Sequence, residues 1–220
     1  MRGCRPLART ERAAFLRAIR GPYELRDRAL VMLGMCTGFR VSEMLALRMP
    51  DLFQNGRMVQ RVTVARRSMK GKTSSRTVLL HPAAREALRA WVMEMIRAGM
   101  FTPDMPLFVS RRGDAEGRPQ SINRKQAWRI LEKAFARAGL EGRLGTHSLR
   151  KTFAAEHYEK LKTLAARGKP VDVLRTMQKL LAHVSIESTM SYLEGIDSAF
   201  VDEMILGMDV GVPVQTPRAA

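Results

Sequence analysis

The sequence predicts an α+β domain, mostly α-helical, with one small antiparallel β-hairpin. Three observations lead there. Apolar residues recur at helical spacing through most of the chain. One stretch, residues 58–80, instead alternates or clusters β-branched and apolar residues around a Lys/Gly/Ser turn. Nothing shows the regular strand–helix alternation of a nucleotide-binding sheet, and there is no Gly-rich phosphate loop. With 220 residues the chain suits one domain with its own core.

Taken in order, Thr10 is expected to cap a helix over ERAAFLRAIR. After the Gly21-Pro22 break a second helix runs from about Glu24 to Met35 and closes near Gly38, and a third begins near Val41. Strands at 58–67 and 76–80 form the hairpin. His81-Pro82 opens a helix reaching about Ala98, since proline at the first helical position gives up no useful donor. LFVS at 107–110 suits a short strand, and RRGDAEGRPQS a loop. Helices follow at 121–138, 146–163, 171–182, 186–193 and 198–207, and the tail from 208 is expected to be unstructured.

Charge narrows the function. Lys and Arg number 38 against 21 acidic residues, a net +17 that favours a polyanionic partner, nucleic acid before an anionic membrane. The basic residues are spread through globular sequence and form no juxtamembrane run. Cys4 and Cys36 are the only cysteines, so neither a disulfide framework nor a four-ligand zinc site is indicated, and no metal or cofactor is expected. No apolar run is long enough for a membrane span and MRGCRPLARTER contains no signal-peptide core, which predicts a cytoplasmic protein.

Polar residues interrupt apolar helical segments at four separated places: Arg40 with Glu43 one turn later, the Lys70/Lys72 turn, His147 with Arg150, and His183 with Tyr192. Singly these have ordinary explanations. Arg40–Glu43 fits a surface ion pair, His147 and Arg150 fit a solvated face of a helix capped by Thr146, and His183 and Tyr192 fit amphipathic core positions.

Together and in this order, TGFRVSEMLAL, MKGKTSSRTVLLHP, THSLRKTFA and LLAHVSIESTMSYL resemble the motifs of the tyrosine recombinase, or phage integrase, family, and the likeness covers nearly the whole chain. The spacing of His183 and Tyr192, nine residues apart, is the most specific feature. The resemblance implies the catalytic-domain fold over 1–207, with 208–220 a tail. It also implies an amino-terminal core-binding domain that this chain, starting about ten residues before its first helix, is expected to lack. Between Arg150 and His183, KLKTLAARGKPVD is longer than in compact members.

The implied reaction is metal- and ATP-independent cleavage and rejoining of double-stranded DNA through a 3′-phosphotyrosine. Arg40 and Arg150 would hold the non-bridging oxygens with planar forks that lysine could not reproduce, Tyr192 would attack, and His147 would serve as general base. Glu43 would orient the cluster, and His183 would donate to a phosphate oxygen. Either hairpin lysine could protonate the leaving 5′ oxygen; Lys72 is favoured because KTSSRTV resembles the family's lead into the second strand. Arg66, Arg67, Lys70 and Arg76, with Arg61, would contact phosphates. Phe200, Val201, Met204, Ile205 and Met208 form an apolar stripe that packs either on the chain's own core or, as such a helix often does in the family, into a neighbouring protomer, the latter implying self-association into a tetrameric synapse on DNA. A type IB topoisomerase-like nicking-closing enzyme, or a DNA-binding fragment without recombination activity, are the alternatives.

Overall fold

The computed structural model describes residues 4–65 and 75–193. Helix α1 (Arg9–Ala18) begins one residue before Thr10 because Glu11, not Thr10, caps it by accepting the Ala8 N–H at 2.8 Å. Helix α2 (Glu24–Thr37) and α3 (Val41–Leu45) follow as expected. Helix α4 (Pro82–Arg97) starts where His81 Nδ1 accepts the Ala83 N–H at 3.2 Å. Helix α5 (Arg124–Arg137) begins three residues later than expected, where Asn123 and Gln126 cap each other's backbone N–H at 2.9 and 2.8 Å. Helix α6 (Thr146–Ala166) outruns its expected end at 163, and Gly145 rather than Thr146 stands at its cap. Helix α7 (Val173–Leu181) is capped by Asp172, and the chain is helical again over 186–193.

Among the described residues the expected single hairpin is joined by a second small ladder. β1 (Phe53–Gln54) pairs with β2 (Arg57–Met58), and β3 (Arg61–Val64) with β4 (Arg76–Leu79) in the register Arg61↔Leu79 to Val64↔Arg76. The extra ladder turns on Asn55-Gly56, both at positive φ (50° and 73°), the conformation that lets a two-residue turn follow strand twist. The stretch 107–110 makes only isolated bridges nearby, Arg48↔Pro106 and Val109↔Ser121. Pro106 has no N–H to continue a ladder, and Met49–Asp51 coils into a 3-10 turn instead of extending.

The main core lies between α2 and α4, with Leu30, Val31 and Leu33 buried alongside Leu88, Trp91, Val92 and Met95. The Trp91 indole stays satisfied by donating to the Leu107 carbonyl at 2.8 Å. Helix α6 comes close to α2 at Gly34, where a Cβ would lie 2.8 Å from Leu149 Cδ1. A second, smaller cluster joins the rest of α6 to α7 and the 186–193 helix through Phe153, Leu161, Met177, Leu181 and Leu193. Among the described residues no helix is long and apolar enough to cross a membrane.

Candidate active site

Helix α2 ends on Gly38 at φ +62°, and a Cβ there would stand 2.5 Å from Phe153 Cδ1. Both conditions call for glycine. Two residues later Arg40 precedes α3 and is held by Glu43, whose carboxylate accepts the Arg40 N–H at 2.8 Å and Nη1 at 2.9 Å. Glu43 is buried while the Arg40 side chain keeps 37% exposure, so the pair orients a guanidinium that still faces outward.

The first turn of α6 carries the next pair. His147 is at the surface and Arg150, one turn on, is fully enclosed. Arg150 donates through Nη1 to the Gly38 carbonyl and through Nη2 to the Leu181 carbonyl at 2.7 Å and to His183 Nε2 at 3.1 Å. Burying a cation is costly unless its donors are met, and helix C-terminal carbonyls, which have no partner within their own helix, meet them here. Partial enclosure of its ring first, then the charges of Arg150 and Arg40, hold His147 below its ordinary value.

Helix α7 closes with Ala182 in the left-handed region, φ +48°, a conformation that costs a non-glycine residue about 1 kcal/mol. That turn carries the chain back so that His183 reaches Arg150. An arginine can only donate, so His183 Nε2 accepts and Nδ1 carries the proton, which it gives to Thr189 Oγ1 at 3.1 Å. Tyr192 lies edge-on to His183 with ring centroids 5.4 Å apart, Arg150 Cζ is 6.0 Å from its ring and Lys151 Nζ 5.7 Å. Its hydroxyl is buried and has no hydrogen-bond partner among the described residues. Burial pushes this phenol up to about 12, with Arg150 and Arg40 opposing the shift electrostatically, so as placed here it is neutral.

Three separated segments thus bring Arg40 with Glu43, His147 with Arg150, and His183 with Tyr192 together. Lys70, Lys72, Arg66 and Arg67 lie outside the described residues. Arg76 departs from expectation: it is 8% exposed and donates to the Thr37 and Leu180 carbonyls, with its guanidinium stacked 4.9 Å from the Phe39 ring. The reason is register. Strand β4 alternates Arg76 inward and Thr77 outward, so Arg76 faces the core and is no surface phosphate contact. Two residues at the site carried a signal that was not read: Thr189, three before Tyr192 on one helical face, and Lys151, buried directly after Arg150. Among the described residues no cluster of three His, Cys, Asp or Glu side chains could hold a metal ion. The pocket instead combines three arginines, a lysine and two histidines with one carboxylate, a set suited to an anion.

The model of the phage integrase family matches residues 7–197. Tyrosine recombinase XerD of Corynebacterium glutamicum is 33% identical over 172 residues, covering 78% of this chain and 49% of that protein. Tyrosine recombinase XerD of Mycobacterium tuberculosis is 30% identical, covering 78% and 49%. The chain therefore spans about half the length of these curated relatives. The crystal structure of XerA recombinase aligns with a TM-score of 0.66 at 24% identity, covering 98% of this chain and 66% of that one. That of XerH site-specific recombinase bound to a palindromic difH substrate, a post-cleavage complex, also scores 0.66, at 23% identity over 94% and 53%. Both share the fold of the catalytic domain. On the family match and the curated relatives together, this chain belongs to the phage integrase family of tyrosine recombinases.

Proposed function

We propose that this chain cleaves and rejoins double-stranded DNA as a site-specific recombinase, through a 3′-phosphotyrosine bond to Tyr192 that needs neither metal nor ATP. The observation that carries it is the convergence of Arg40, Arg150, His183 and Tyr192 in one cationic pocket, with His147 at its edge. Tyr192 Oη bonds to phosphorus as the bond to the 5′ oxygen breaks. The phenol proton passes to His147, and the departing oxygen takes a proton from a hairpin lysine, Lys72 by preference over Lys70. Arg40 and Arg150 hold the charge on the non-bridging oxygens, the largest part of the catalysis in such a transfer. For this, the 183–192 segment moves outward, exposing Arg150 and the Tyr192 hydroxyl to the phosphate. The ester conserves the energy of the broken bond, so a 5′-hydroxyl of another strand can reverse the step. That the curated relatives are recombinases supports strand exchange over a nicking-closing reaction.

The partners follow from the same reading. The net charge of +17 supports DNA as the ligand. Self-association on DNA would run through the apolar stripe from Phe200 to Met208, which lies outside the described residues. A groove of about 830 Å³ lined by Leu16, Met35, Val78, Leu80 and Phe153 supports such docking. The two free thiols, Cys4 and Cys36, fit a cytoplasmic location.

The test is a suicide substrate, a nicked duplex selected by the protein from a randomised pool that loses a short strand after cleavage. A covalent adduct mapping to Tyr192, absent in Tyr192→Phe and formed equally in excess EDTA, is expected. An adduct on Tyr23 or Tyr158, or cleavage lost in EDTA and restored by Mg²⁺, would overturn the proposal.

A further inference from the structure

Arg76 is 8% exposed and its guanidinium is committed to the protein's own backbone: Nη2 serves two carbonyls and Nη1 is buried without a partner among the described residues. Its Nη2 donors are spent on backbone carbonyls, so the part open to it runs through the groups it holds. Those groups form a pattern. Arg76 joins the Thr37 carbonyl at the end of α2 to the Leu180 carbonyl at the end of α7. Arg150 joins the next carbonyl of each segment, Gly38 and Leu181. The two guanidinium groups are successive rungs across one gap, with Arg40 one side of it and His183 and Tyr192 the other.

We propose that Arg76 is a positioning residue that sets the distance between the Arg40-bearing end of α2 and the His183–Tyr192 segment beyond α7. The inference rests on the proposed function. There, Arg150 must redirect donors from backbone carbonyls to the phosphate, which loosens its own rung. Arg76 has no such second duty and keeps the gap fixed while Arg150 works. Strand β4 supplies it from a third element, its backbone paired to β3 through Val64. The planar stack on Phe39 adds a contact that a lysine forms less well, whereas an ammonium still supplies donors for both carbonyls. Methionine fills similar volume and supplies none.

The experiment compares wild type, Arg76→Lys and Arg76→Met in the full chain, using the suicide duplex described above. At saturating DNA the rate of adduct formation is expected to fall at least about tenfold in Arg76→Met, in line with the sensitivity of such reactions to sub-ångström misplacement, and to recover most of the loss in Arg76→Lys. Affinity for the duplex should stay within about threefold in both, because no phosphate contact is lost. In the same proteins ¹⁵N NMR of His183 should show the Nδ1-protonated form in wild type and Arg76→Lys and a mixture of tautomers in Arg76→Met. A lowered melting temperature with an unchanged rate per folded molecule, or a loss confined to affinity, would overturn the proposal. If Arg76→Met does not fold, Arg76→Gln, which retains one donor group, takes its place with the same expected signs. A wild-type chain that forms no adduct would overturn the proposed function instead, and the His183 signals would then decide on Arg76: identical tautomers in wild type and Arg76→Met refute it.

Discussion

The two halves of this domain that meet at the site are built very differently. The half around α2 and α4 buries thirty apolar side chains, and the half around α6, α7 and the 186–193 helix buries six, counted among the described residues. Arg40 and Glu43 stand on the first, His183 and Tyr192 on the second, and Arg150 is rooted beside Leu149 in the first while its guanidinium reaches into the second. Since apolar burial is the main favourable term in folding, Tyr192 sits on the half whose described residues contribute less of it. Under the proposed function the difference suits the two parts: charge stabilisation would need rigid donors, and a tyrosine that leaves its pocket to attack would need a mobile support.

Equivalent truncations should break this comparison most visibly. Leu33 and Leu181 are both fully buried, so either leucine changed to alanine removes about 2–5 kcal/mol of local packing. For Leu33→Ala the whole of it should appear as lost global stability in denaturant unfolding. For Leu181→Ala the loss should appear chiefly as faster amide exchange across 173–193, with a smaller change at the midpoint. Equal falls in global stability would show the halves unfold as one unit.

Gly38→Ala comes next. The substitution forces a side chain into the left-handed region and against Phe153, a cost of about 1–3 kcal/mol by strain and overpacking. Because Gly38 is both the end of α2 and an acceptor of Arg150, the loss should include a drop in cleavage larger than folding accounts for. A variant with lowered melting temperature and a wild-type rate below it would separate the junction from the chemistry.

The sites of this comparison differed in how far they could be read beforehand. The Arg40–Glu43 turn, the His147/Arg150 pair and the nine-residue step from His183 to Tyr192 are local spacings on helices, and helical geometry carries them into the structure unchanged. Arg76 was misplaced because a basic residue next to a lysine-rich turn looks like a surface contact, and alternation along a strand does not say which face meets the core. The positive φ of Ala182 was invisible for a different reason: alanine announces no turn, and only the pull of Arg150 and Thr189 on His183 explains it. Asn55-Gly56 was legible turn chemistry in a stretch too short to show strand periodicity.

Tyr192 sharpens the comparison through alkaline stability. Its folded value of about 12 lies above the ordinary 10, so the native state holds this proton more tightly than the unfolded chain does. The contribution is therefore complete below about pH 10 and is lost as pH rises through 12. Allowing for partial solvent screening, on the order of 1–2 kcal/mol should disappear over that window, and Tyr192→Phe should flatten it. An unchanged alkaline slope in the phenylalanine variant would mean the hydroxyl is not enclosed in solution.

The smallest expected effect asks which half supplies the base. His147 is held below the ordinary histidine value of 6.5 by partial enclosure of its ring first, then by Arg150, Arg40, Lys151 and Arg124. A base with a lowered value stays unprotonated further into acid, so the acid limb of the second-order rate constant for adduct formation should lie below pH 6.5. That rate constant is the right observable, because it reports groups of the free enzyme. Arg124 is exposed at the start of α5 and takes no part in the proposed phosphate contacts, so Arg124→Gln should move the limb slightly upward and leave the plateau in place. His147→Gln should abolish the limb along with most of the rate, roughly a hundredfold for loss of a general base. A limb that persists in His147→Gln would transfer the base to the nucleophile-bearing half. His183 would be the first residue to test there, since its Nε2 could accept the Tyr192 proton once its bond to Arg150 is released, with the Nδ1 proton kept in its bond to Thr189.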